Sequence, residues 1–153
     1  MSDVFECEIQ ARMRDINLGG HVDNVEAIRV LDEARLFFLR FGTGGADGLL
    51  RDVPPGVTDL VGSQRVDYRA ELRFAPFQPF LVRMWVGHVS RSSFTVEYEL
   101  RMAADHAPAL IAETSIVFWD RAAEASWPIS DQVRASLAGY RGEPVPLRER
   151  PRS

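Results

Sequence analysis

The 153-residue sequence predicts an α+β domain in which one long helix packs against an antiparallel sheet. Three observations predict it. Five segments alternate apolar and polar residues with period two, as strands with one buried face do. One segment repeats apolar residues at three- and four-residue steps, as a helix does. The later strands are joined by short polar turns, so neighbours run antiparallel.

The first strand sets Phe5, Cys7, Ile9, Ala11 and Met13 against Glu6, Glu8, Gln10, Arg12 and Arg14. A polar, glycine-containing turn follows, from Asp15 to Val22. The helix begins near Asp23, with Val25, Ile28, Leu31, Ala34, Phe38 and Phe41 as its stripe. Val30, Leu36 and Phe37 widen that stripe, which suits a helix wrapped on several sides. Asp23 and Glu26 have capping-box spacing, Asn24 is the alternative N-cap, and Gly42 is the natural stop. Residues 42–56 read as a loop, the most flexible region expected, around a piece (Ala46–Asp52) long enough for one helical turn.

Four strands come next. Leu60, Gly62, Gln64, Val66 and Tyr68 share one face of the first. Phe80–Val89, Phe94–Met102 and Leu110–Trp119 are the others, joined by turns at Ser90–Ser93 and Ala104–Pro108. A short helix is expected over Ile129–Ala138. Residues 1–141 are read as a single domain, and the Pro- and Arg-rich tail, 142–153, is expected to fray. A single helix covers only one sheet face, so pairing with a second copy is expected.

All 18 basic side chains are arginine. Without lysine there is no Schiff-base or pyridoxal-phosphate chemistry and no P-loop. The net charge of −4 argues against a nucleic-acid partner. Cys7 is the sole cysteine, so no intrachain disulfide forms. No leader peptide or membrane span is evident, and a cytoplasmic, membrane-free protein is expected. Three histidines and one cysteine show no ligand spacing, so no metal site and no cofactor are expected.

The densest polar cluster is Arg14-Asp15-Ile16-Asn17-Leu18-Gly19-Gly20-His21-Val22-Asp23-Asn24, where strand meets helix. A helix N-terminus offers unpaired N–H groups and partial positive charge, which suits a developing oxyanion. Gly19 and Gly20 allow a ligand to approach the backbone closely. His21 is a candidate base or orienter, equally readable as a turn histidine. Asn17 can hold a carbonyl or a water but takes no proton near neutral pH. Asp15 reads as a turn anchor or a partner for Arg14, Arg35 as an ion-pair partner for Asp32 or Glu33, and Cys7 as a small core residue.

This turn, together with Leu31-Asp32-Glu33-Ala34-Arg35, resembles the signature of hot-dog-fold acyl-CoA thioesterases, nearest the 4-hydroxybenzoyl-CoA thioesterase-like branch. Arg65-Val66-Asp67-Tyr68 and Val117-Phe118-Trp119-Asp120 also suit that branch. The resemblance implies the hot-dog fold: a long central helix wrapped by a five-stranded antiparallel sheet, in a homodimer or homotetramer. It implies hydrolysis of an acyl-CoA or acyl-carrier-protein thioester, with the Asn24 backbone N–H polarising the carbonyl. Asn17 stands where many members carry the catalytic Asp; it would place the water, with His21 or the substrate managing the proton. Any coenzyme A phosphates must then be met by arginine, with Arg65, Arg69 and Arg91 as candidates. Two other readings remain open. One is a catalytically silent thioester-binding module, motivated by Asn17. The weaker is a hot-dog dehydratase or hydratase, whose turn carries a proline absent here and a histidine one residue earlier.

Overall fold

The computed structural model describes residues 2–42 and 47–152. Strand β1 (Phe5–Ile9) leads through a 3-10 turn (Met13–Asp15) into helix α1 (Asn24–Leu36), extended by a π-helical turn at Phe37–Phe41. Strands β2 (Val57–Tyr68), β3 (Phe80–Val89), β4 (Ser93–Arg101) and β5 (Leu110–Asp120) follow, then a two-residue β6 (Ala125–Ser126) and helix α2 (Asp131–Ala138). The sheet order is β1-β3-β4-β5-β2, antiparallel throughout, with β6 on β5.

The inner sheet face is a continuous apolar row. Met84 pairs with Tyr98, Tyr98 with Ala112, and Ala112 with Val66. Onto it α1 presses Ala27, Val30, Leu31, Ala34 and Phe38, each at most 2% exposed. Burying a side chain such as Leu31 or Phe38 contributes about 1.5–3 kcal/mol, so this layer dominates the stability of the helix. Val30 is buried as expected, but the stripe differs elsewhere: Val25, Leu36, Phe37 and Phe41 are 65%, 50%, 37% and 63% exposed, while Ala27 and Leu39 are buried. The π turn contributes by changing the angular step before Phe41.

Asp23 is the N-cap, its Oδ1 accepting from the Val25 N–H at 2.9 Å. Glu26 does not complete a capping box; its carboxylate takes the Arg29 guanidinium at 2.6 Å. Gly42, at φ 68°, ends the helical run as its sequence position requires. Of the 42–56 loop, residues 43–46 lie outside the described residues. Leu49 and Leu50 N–H donate to the Phe38 and Leu39 carbonyls, which ties that loop to the end of the helix.

Two further expectations are corrected. The first strand stops at Ile9 rather than Met13, because Ile9 pairs with Phe80, the first residue of β3. The expected fraying of the C-terminal tail is not seen through Arg148; the tail crosses the outer sheet face. Gly142 N–H donates to the Val86 carbonyl at 2.9 Å, and the Trp85 indole N–H to the Glu143 carbonyl at 2.8 Å. Val145 is 6% exposed, and Arg148 N–H donates to Asp67. Proline-rich chain suits this path, since it needs few backbone donors and starts from a restricted unfolded state.

Candidate functional site

The turn between β1 and α1 is built around two side chains. Asp15, fully buried, anchors it from below. Its Oδ2 accepts from the Arg12 N–H at 2.8 Å and from the Arg29 guanidinium at 2.9 Å, and its carbonyl accepts from the Asp23 N–H. Asp15 therefore ties the strand end to the helix, and its partner is Arg29, not Arg14. Asn17 shapes the turn from above. Its Oδ1 accepts from the Gly19 and His21 N–H groups at 3.0 and 3.3 Å. The Asn17 N–H in turn donates to the His21 carbonyl at 2.8 Å. Gly20 sits at φ 79°, the left-handed region that glycine enters without penalty.

This geometry constrains Asn17 chemically. Two backbone donors face one end of the carboxamide, so that end must be the oxygen. Only the Nδ2 hydrogens remain for a ligand. Asn17 can donate to a carbonyl, but its acceptor is already engaged.

His21 is half-buried, and its Nε2 lies 3.2 Å from Glu71 Oε2. Glu71 also pairs with Arg73, whose backbone bridges that of His21. Neither Glu71 nor Arg73 is marked by any local sequence pattern; they reach the turn because Val22 N–H donates to the Leu72 carbonyl. Asn24 opens α1 and is exposed, and no partner for its N–H is found among the described residues. The Tyr68 hydroxyl, at the end of β2, donates to the Asn24 carbonyl at 3.2 Å. Tyr68 thus marks a second element bordering the helix start.

Asn17, Gly19, Gly20, His21 and Asn24 share this turn. The three arginine candidates do not. Arg69 and Arg65 hold the tail carbonyls of Pro146 and Arg148 at 2.9 and 3.3 Å, and Arg91 sits on the β3–β4 hairpin beside Ser126 and Pro128. Arg35 pairs with Asp32 at 2.9 Å and reaches the buried Tyr98 hydroxyl at 3.3 Å, while Glu33 faces Arg29. Burial and, secondarily, Glu33 push the Cys7 thiol up to about 11, so it stays a protonated small side chain at neutral pH. The main surface cavities, of 310 to 440 Å³, are lined by residues other than Asn17, His21 and Asn24. Within one chain the turn is an open surface, with Leu18 fully exposed at its tip.

The model of the thioesterase-like superfamily matches residues 11–137. Among solved structures, the chain is similar to the PA5185 protein from Pseudomonas aeruginosa strain PAO1: 25% identity, TM-score 0.74, covering 92% of this chain and 93% of that one. A predicted thioesterase from Bacillus stearothermophilus matches at 16% identity and TM-score 0.74, over 93% of this chain and 99% of that one. The 1,4-dihydroxy-2-naphthoyl-CoA thioesterase Slr0204 from Synechocystis matches at 18% identity and TM-score 0.73, over 89% of this chain and 96% of that one. A comparison with curated proteins finds no match. A curled antiparallel sheet closed over one long helix, together with a family match spanning both, places the chain in the thioesterase-like superfamily, with the hot-dog fold.

Proposed function

We propose that this protein hydrolyses an acyl thioester at the N-terminus of α1, the thiol being coenzyme A or a carrier protein. The observation that carries the reading is the Asn24 N–H, without a partner among the described residues, at the start of a 13-residue helix beside a turn bearing Asn17 and His21. The thioester carbonyl accepts from the Asn24 N–H, and the helix dipole favours the negative charge that grows on that oxygen during attack. The Asn17 Nδ2 hydrogens supply a second donor to the acyl oxygen or to the incoming water. His21, held by Glu71, takes the proton of the water. The tetrahedral intermediate then collapses, breaking the C–S bond and releasing a carboxylate and a thiol.

Because the turn is open in one chain, a second copy is the proposed other wall of the acyl site, in a homodimer or a dimer of dimers. The named coenzyme A thioesterase among the structural relatives makes coenzyme A the first thiol to try. Arg65, Arg69 and Arg91 remain candidates for its phosphates only if the tail moves or a partner chain brings them near. A second reading is favoured by one observation: position 17 offers a carboxamide whose oxygen is engaged by the turn, and so neither a proton acceptor nor a free hydrogen-bond acceptor, which suits a thioester-binding module of little activity.

A panel of acyl-CoAs assayed for free thiol release separates the two. Hydrolysis that falls at least tenfold in both Asn17→Ala and His21→Ala supports the enzyme. Thermal stabilisation by an acyl-CoA without thiol release supports the binding module. Full activity in both variants removes these residues from the mechanism.

A further inference from the structure

The outer face of the sheet carries a second polar cluster, on the side opposite α1. Its central row runs Trp85, Glu97, Glu113 and Arg65 across β3, β4, β5 and β2. Glu97 and Glu113 therefore stand directly opposite each other, a like-charge pairing that destabilises a sheet unless something neutralises it. His88, next along β3, brings its imidazole to the same place. One ligand atom from each of His88, Glu97 and Glu113 lies within 4.8 Å of the others.

Glu97 is fully buried, beneath the C-terminal tail. Its Oε1 accepts from the Thr95 hydroxyl at 3.2 Å, but among the described residues its Oε2 has no hydrogen-bond partner. A buried carboxylate oxygen left unsatisfied is costly. Nearby arginines do not relieve it. Arg65, opposite Glu113 in register, directs its guanidinium to the Arg148 carbonyl, and no ion pair to Glu97 or Glu113 is found among the described residues.

The backbone is shaped for this carboxylate. A Cβ added at Gly87 would meet Glu97 Oε1 at 2.1 Å and Cδ at 2.8 Å. Glycine in a strand interior weakens the strand, and here it marks a side chain lying across the backbone. The β3–β4 register also shifts between Val86 and Val89, beside His88.

We propose that His88, Glu97 and Glu113 bind one divalent transition cation of the zinc or manganese type, which clasps β3, β4 and β5 together. Two carboxylates balance a divalent charge, and one imidazole with two carboxylates is a donor set that such metals accept. Three ligand atoms about 2.1 Å from one tetrahedral cation stand about 3.4 Å from one another. Ligand atoms within 4.8 Å of one another therefore close on the ion by side-chain movement of about an ångström. His88 is exposed, so the cation enters from that side, and water fills the remaining coordination positions. The site stands on the sheet face away from the proposed thioester turn and does not depend on that reading.

The test is titration calorimetry of ZnCl2 and MnCl2 into EDTA-treated, dialysed full-length protein, with melting temperature as a second readout. One equivalent per chain and a metal-dependent rise in Tm are expected. Glu97→Gln and His88→Ala should each weaken binding at least tenfold, while His106→Ala, at the exposed Asp105–His106 pair, leaves it unchanged. Glu97→Gln keeps the shape of the buried side chain, and His88→Ala alters only an exposed one, so both variants should fold. Absence of stoichiometric binding by the wild-type protein, or binding by either variant as tight as the wild type's, overturns the proposal.

Discussion

Replacing Asn17 by Ala and by Asp tests whether this side chain shapes the turn, limits the chemistry, or both. Alanine removes the Oδ1 acceptor of the Gly19 and His21 N–H groups. Each neutral hydrogen bond contributes about 0.5–1.5 kcal/mol. The turn is exposed and water replaces part of the loss, so Asn17→Ala should cost about 1–2 kcal/mol in all. For a domain of this size that lowers Tm by about 2–8 °C. Aspartate keeps one oxygen on the two N–H groups and gains a second, free oxygen able to accept a proton. Stability should match the wild type, and kcat for thioester hydrolysis should rise at least tenfold, part of the roughly 10²–10⁴-fold that a placed base contributes. Thermal denaturation and thiol release from the acyl-CoA panel read the two effects separately. An unchanged Tm in Asn17→Ala refutes the turn-shaping role. An Asn17→Asp enzyme no faster than the wild type refutes the argument that the lack of a carboxylate at this position limits turnover.

Three further outcomes follow from the outer face. Gly87→Ala should destabilise by about 1–3 kcal/mol through overpacking against Glu97, and Glu97→Ala should abolish that cost; urea denaturation of the double-mutant cycle that gave additive effects would show no contact. Burial, then Glu113, pushes the Glu97 carboxyl up to about 8, with the Thr95 hydroxyl and the Val145 backbone pulling the other way. The folded state then holds a proton that the unfolded chain releases at lower pH. In EDTA, this group's contribution to stability should be full at and below about pH 4.5 and be lost, by a few kcal/mol, as pH rises to about 8. Glu97→Gln should flatten that slope, measured by denaturant midpoints across pH. Truncation after Gly142 removes the buried Val145 and should cost about 1.5–3 kcal/mol, with a red shift in tryptophan emission as Trp85 loses the Glu143 carbonyl; an unshifted Tm would mean the tail contributes nothing.

How legible each feature was depends on whether its cause is local. The bounds of β3, over Phe80–Val89, coincide with the alternating run, because β1 pairs with its first half and β4 with Leu81–Val86 and Val89. The first strand alternates to Met13 but pairs only to Ile9, since strand length depends on a neighbour that begins at Phe80. The helical stripe announced α1, yet which of its apolar residues go inside depended on the π turn and on the loop tied to Phe38 and Leu39. Within the turn, the run from Asp15 to Asn24 was visible as a cluster, but the assignment of Arg29 to Asp15 and of Glu71 to His21 was not. Those pairs join residues 14 and 50 positions apart, and no local pattern encodes such contacts.

By itself the sequence determined the periodicities, hence the elements, and the sole cationic residue type, arginine, hence the exclusion of lysine chemistry. It also set the glycines and the asparagine of the turn. Only the tertiary structure decided that the Asn17 oxygen is occupied and that Asp15 is the buried anchor. It alone laid a proline-rich tail over the sheet, and set His88, Glu97 and Glu113, from three different strands, side by side. The reason is physical. Periodicity follows from backbone geometry within one element, whereas strand register and side-chain burial follow from long-range pairing. A single residue of register shift would turn Glu97 to the other face of the sheet.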